Sequence, residues 1–121
     1  MKQFDHEKLS VYQQSIKFVA WSTDLLESIP KSIAAHDQLD RASTSVPLNI
    51  AEGNGKSTPK DRCKFFDTAR GSALECAACL DVLVAKRKIG LDTAEAGKTM
   101  LIEVVSMLVG LIRPNSPDRA V

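Results

Sequence analysis

Apolar residues recur in this chain at alternating steps of three and four in four separate stretches, and no stretch alternates at a step of two. That spacing lines one face of an α-helix and leaves no half-buried strand to build a sheet from. The first stretch runs from Asp5 to about Ile29, with Leu9, Tyr12, Ile16, Val19, Thr23 and Leu26 as its expected stripe, and stops at Pro30. The second runs from about Asp37 to Gly53, with Leu39, Ala42, Val46, Ile50 and Gly53 on one face. Pro47 lies inside it; proline removes a backbone donor and crowds the carbonyl four residues back, so a kinked helix or two short helices are expected. The third starts at Thr58-Pro59-Lys60-Asp61, where Thr58 suits an N-cap, Pro59 the first helical position and Asp61 a capping box. It carries Phe66, Ala69, Ala73, Cys76, Leu80 and Leu83, and Gly90 is placed to end it. The fourth opens on the capping-box pattern Asp92-Thr93-Ala94-Glu95. It repeats through Ala94, Gly97, Leu101, Val104, Leu108 and Leu111 to Arg113-Pro114.

Four amphipathic helices with short connections predict an all-α, antiparallel up-and-down four-helix bundle. A chain of 121 residues, 44% hydrophobic and 26% charged, has the ordinary composition of one such domain, expected over residues 1–113 with a disordered tail over 114–121. No stretch approaches the ~18 uninterrupted apolar residues of a membrane span, and MKQFDHEKLS holds no apolar run for a secretion signal, so a cytoplasmic, membrane-free location is the expectation. Cys63, Cys76 and Cys79 are expected to be reduced thiols.

The third helix has an apolar surplus. Thr68, Gly71, Glu75, Ala78 and Val82 form a stripe roughly opposite its core face, and Met100, Val105, Met107, Val109 and Ile112 give the fourth helix a similar excess. Contiguous excess of this kind predicts burial by neighbouring subunits, hence a homo-oligomer.

The strings Gln38-Leu39-Asp40-Arg41-Ala42 and Ser45-Val46-Pro47-Leu48-Asn49-Ile50-Ala51-Glu52-Gly53 are followed by Phe65/Phe66, Ala69, Gly71-Ser72 and Glu75. Together they resemble the bacterial four-helix-bundle family of 23S rRNA-intervening-sequence proteins, whose relatives include accessory variability proteins of retroelements. The resemblance implies a left-handed up-and-down bundle and a homopentameric barrel. Retroelement relatives contact nucleic acid through a basic surface and assist a reverse transcriptase; Asp40 stands where the family usually has a basic residue, which implies weaker contact here.

Gln38, Arg41, Ser45, Asn49 and Glu52 share a polar stripe on the second helix; in the expected hairpin Arg41 comes level with Gly71 to Glu75 and Glu52 with Lys60 to Cys63 at the start of the third. Their first reading is structural, fixing helix register or a subunit interface, with Arg41 buried and paired to a carboxylate, Glu75 of the same or a neighbouring subunit being the first candidate. The alternative is a small-molecule or enzymatic site using Arg41, Asn49, Glu52 and Glu75. Lys56, Lys60, Arg62 and Lys64 surround the start of the third helix, whose free N–H groups favour anions, and are the candidate contacts for RNA, DNA or an acidic protein. A net charge of +1 limits their reach. No catalytic constellation, cofactor motif or metal-ligand spacing is apparent. Cys76-x-x-Cys79 falls in mid-helix without a second pair, and the only histidines, His6 and His36, do not follow a glutamate at the di-iron interval. A non-enzymatic scaffold or adaptor is therefore expected, with a protein-only adaptor offering an apolar groove as the alternative.

Overall fold

The computed structural model describes residues 2–119. A short 3-10 helix, Asp5–Lys8, precedes four α-helices: α1 Ser10–Glu27, α2 Ala34–Gly55, α3 Pro59–Ala85 and α4 Leu91–Asn115. Each helix packs on its neighbours in sequence and α4 closes against α1, so the described residues form an all-helical up-and-down bundle. The α1/α2 side is consequently opposite the α3/α4 side.

The stripes expected on α2 and α3 are the buried ones. Leu39, Ala42, Val46 and Ile50 meet Phe66, Ala69, Ala73, Cys76, Leu80 and Leu83, all nearly inaccessible. On α4, Ala94, Leu101, Val104 and Leu108 are buried as expected, but Ile112 rather than Leu111 completes the row. On α1 the expected stripe is rotated. The buried row is Val11, Ser15, Phe18, Ser22 and Leu26; Ile16 and Thr23 are exposed, while Leu9, Tyr12 and Val19 sit at the flanks. Two serines can face the core because their hydroxyls donate to carbonyls of their own helix, Ser15 to Tyr12 at 2.7 Å and Ser22 to Val19 at 3.1 Å, leaving no unmet polar group.

Two glycines let helices close. A Cβ on Gly53 would lie 2.7 Å from Cε1 of Phe66, and one on Gly97 would lie 2.5 Å from Cη2 of Trp21 and 2.7 Å from Cδ1 of Leu80. Both positions need a bare backbone.

Several local expectations are corrected. The first helix does not begin at Asp5: the 3-10 helix ends at Leu9, which is extended with ψ 128°. Of the two forms expected at Pro47, two short helices are not what forms: the second helix passes through as one element, since Val46 and Ile50 on either side are locked into the core and parting the halves would uncover them. Thr58 does cap α3, its Oγ1 accepting the Asp61 N–H at 3.2 Å. Gly90 does not end α3. The helix stops at Ala85, and Arg87 takes the left-handed conformation, φ 60°, while Arg87 N–H donates to Val84 O and Lys88 N–H to Leu83 O, each at 2.9 Å. This is a Schellman closure with an arginine in the place glycine favours. Gly90 instead precedes α4 in extended conformation, displacing the expected Asp92 cap. Pro114 and Asn115 lie in α4 rather than in a disordered tail, and Arg119 pairs with Asp67; residues 120–121 of that tail lie outside the described residues.

Candidate functional site

The polar stripe of α2 divides in two. Ser45 and Asn49 turn toward α3: Ser72 Oγ donates to Ser45 Oγ at 2.8 Å, and Asn49 Nδ2 donates to both Ser45 O and Ser45 Oγ at 2.9 Å. This half-buried triad ties α2 to α3. Gln38, Arg41 and Glu52 are exposed on the outer side, as is Glu75 on α3. The expectation of an Arg41 buried and paired to a carboxylate of its own subunit is corrected: within the chain it is exposed, and among the described residues it makes no ion pair. Arg41 shares the outward line of α2 with Leu48, one heptad away, so the helix turns it from the core. Glu52 meets Lys56 one helical turn on, at 3.8 Å, rather than the start of α3.

The four cations of the basic turn have different tasks. Arg62 is structural, its Nη1 donating to Asn54 O at 2.9 Å and Lys56 O at 3.2 Å while its guanidinium lies 5.5 Å from the Phe66 ring centre. It thereby satisfies carbonyls at the end of α2. Lys56 is half-buried over the Phe65 ring, at 5.3 Å, and beside Glu52. Lys64 sits 5.9 Å from that ring and is exposed, as is Lys60. Lys60 and Lys64, at the N-terminal end of α3, are thus the cations with their charge most available to an anion.

The apolar surplus lies on two opposite sides. On the α3/α4 side, Leu74 and Ile102, 54% and 68% exposed, line a groove of about 360 Å³ together with Ala73, Ala77, Lys98, Leu101, Val105 and Ser106, and Val82 on the outer stripe of α3 is 43% exposed. Lys98 spans the helices to pair with Asp81 at the groove's edge. The expected outer stripe Thr68, Gly71, Glu75, Ala78 and Val82 is exposed in the single chain, beside this groove. Of the expected surplus on α4, Met100, Val105, Met107 and Val109 are half-buried, whereas Ile112 belongs to the chain's own core. On the α1/α2 side, Leu48 is 60% exposed at a hollow of about 440 Å³ that His6, Ala51 and Lys56 also line, and Ile16 on α1 is 43% exposed. Leu74, Ile102 and Leu48 were not singled out by the helical spacing, because a large apolar residue outside a stripe is common on any surface.

A third hollow, about 470 Å³, opens where α1 passes to α2 and is lined by Glu27, Lys31, His36 and Asp40 among others. The three thiols are buried and free, and burial, with Cys79 and Glu75 adding, pushes the Cys76 thiol up to about 12, keeping it protonated and unreactive. Among the described residues no three His, Cys, Asp or Glu side chains are grouped to hold a metal ion, and no helix is long and apolar enough to cross a membrane.

A family model described as 23S rRNA-intervening sequence protein matches residues 7–110. A crystal structure of a protein with unknown function from the S23 ribosomal protein family of Bacteroides thetaiotaomicron superposes with a TM-score of 0.80. It is 22% identical, over 85% of this chain and 98% of that one, a likeness that establishes the fold. No curated protein matches the chain.

Proposed function

Because the chain belongs to the 23S rRNA-intervening sequence protein family, we propose that it acts as a non-enzymatic, homo-oligomeric scaffold of the cytoplasm. The observation that carries this reading is the pair of apolar faces on opposite sides of the bundle: Leu74, Val82 and Ile102 on one, Ile16 and Leu48 on the other. Opposite, unlike faces join head to tail, and head-to-tail contacts close into rings when the rotation between copies fits. The family resemblance favours a ring of five copies. Exposed Arg41 and Glu75 flank the joining surfaces and supply opposite charges for orientation.

Light scattering tests the assembly. The wild-type chain is expected near five times its 13.2 kDa mass, and a stable monomer at micromolar concentration would end the proposal. Ile102→Glu and Leu48→Glu should each dissociate the ring. Mixed together they should form a one-to-one pair, since each retains the face the other has lost; a mixture that stays monomeric would exclude head-to-tail contact.

A second reading, weak and sequence-tolerant binding of nucleic acid at the basic turn, is favoured by exposed Lys60 and Lys64 at the start of α3. Binding should fall steeply with salt, and Lys60→Gln with Lys64→Gln should weaken it for all sequences alike while assembly persists. Salt-insensitive recognition of one sequence would refute it. Failure to bind at low salt would leave a protein-only adaptor.

A further inference from the structure

The 3-10 helix Asp5–Lys8 buries none of its residues, yet it is tied down at several points. The Glu7 carboxylate accepts the Phe4 N–H at 2.9 Å, Asn54 Nδ2 donates to Asp5 Oδ2 at 2.9 Å, and Gln13 Nε2 donates to Glu7 O at 2.9 Å. What these bonds hold in place is an aromatic face. Phe4 is 74% exposed and stacks one side of its ring on His6, 5.8 Å between centres and 9° from parallel, while His6 is braced edge-on by Tyr12 at 4.7 Å. The other side of the Phe4 ring carries no aromatic partner among the described residues. Asn54, which anchors this helix, also offers the carbonyl that Arg62 caps, so the aromatic stack and the basic turn occupy the same end of the bundle. His6 also lines the Leu48 hollow, whereas Phe4 is not among its lining residues, so the open face of the ring stands at the edge of that joining face rather than within it.

We propose that this end binds single-stranded nucleic acid, with one base laid on the open face of Phe4 and the neighbouring phosphates on Lys60 and Lys64. The inference rests on the second reading of the basic turn and adds to it a choice of ligand. A flat ring backed by a second ring extends a stack, and every base offers a π-face to it. In a duplex those faces are already covered by neighbouring pairs, so the ring selects unpaired strands. The two amide side chains that hold this end, Asn54 and Gln13, are engaged with Asp5 and the Glu7 carbonyl rather than free to read base edges, which favours a contact tolerant of sequence.

Fluorescence anisotropy with an end-labelled oligoadenylate of about ten nucleotides, as RNA and as DNA, against a blunt RNA duplex of the same length tests the assignment. Both single strands should bind at low salt within a few-fold of each other, and a clear preference for one identifies that strand as the ligand. The duplex should bind about tenfold more weakly, Phe4→Ala should lose about tenfold on single strands alone, and Phe4→Trp should restore it. Lys60→Gln with Lys64→Gln should weaken every probe. If Phe4→Ala binds like wild type while the lysine variant does not, the stack is wrong and the basic-turn reading stands. Equal binding of duplex and single strand also refutes the stack. Wild-type protein that binds no probe defeats both readings, and a change in molar mass on Phe4→Ala would make the ring an assembly contact instead.

Discussion

The joint between α2 and α3 and the joint between α1 and α4 share one device, a glycine under an aromatic ring, and differ in what surrounds it. Gly53 faces Phe66, which is wholly buried, and the Arg62 carbonyl is 3.1 Å from where a Cβ would stand. Gly97 faces the far edge of Trp21, a half-buried ring at the rim of the bundle, and the tip of Leu80. Polar groups follow the same division. Ser45, Asn49 and Ser72 link α2 to α3, and Arg62 closes the corner between them. On α1, Ser15 and Ser22 bond only within their own helix, and the polar tie to α4 is the exposed bond from Gln14 Nε2 to Glu103 Oε2. One joint is fixed from the inside and has no room to move; the other is fitted by side chains that can give.

Denaturation at a fixed protomer concentration measures how deep that difference runs, since assembly couples stability to concentration. The largest effect is expected from Gly53→Ala, about 3 kcal/mol of destabilisation, because neither Phe66 nor the Arg62 backbone can retreat. Gly97→Ala should cost only about 1 kcal/mol, the strain being relieved by Trp21 and offset by alanine's better helix propensity. Equal costs for the two alanines would break the comparison. Trp21→Phe should remove most of the Gly97→Ala penalty when the two are combined, a coupling that a double-mutant cycle reads directly. Ser72→Ala should cost a little under about 1 kcal/mol by leaving Ser45 without its donor across the joint. Smallest of all, Ser15→Ala and Ser22→Ala should each stay within about 0.5 kcal/mol, since each hydroxyl serves only its own helix. A Ser15→Ala cost matching that of Ser72→Ala would mean that the α1 serines carry tertiary structure after all.

The same division decides what the sequence makes legible. On α3 every buried position is apolar, and on α2 the buried His36 and Ser43 stand beside an unbroken apolar row from Leu39 to Ile50, so the three-and-four spacing still points at the core. On α1 the spacing is misled, because Tyr12, Ile16 and Val19 are more hydrophobic than Ser15 and Ser22 yet lie to one side of the buried row. A serine that satisfies itself locally is, for packing, a small residue, and no hydropathy pattern marks which serines do so. Helix ends are similarly obscure: Gly90 and Asp92 both have the right chemistry for caps, but the backbone turns at Arg87 and the helix restarts at Leu91. Among the candidate site residues, the spacing identifies the outer stripe of α3 as surplus, and that stripe is exposed in the lone chain. It could not separate Arg62 from the three lysines around it. That distinction depends on where the carbonyls of Asn54 and Lys56 come to rest, which is settled only when α2 and α3 pack.

The seat of Arg62 has a consequence for time as well as for energy. Leaving the corner costs the guanidinium both carbonyls and its contact with Phe66 together, so local opening over residues 54–62 is opposed by three contacts of one side chain. Backbone amides at a turn between helices ordinarily exchange with solvent by small local excursions; here Arg62, by holding the carbonyls of Asn54 and Lys56, should slow them, and Arg62→Ala should speed exchange over this turn. A molecule that meets this corner therefore finds a surface with little chain entropy left to lose, and its rate of arrival is governed by charge and orientation rather than by waiting for a loop to settle.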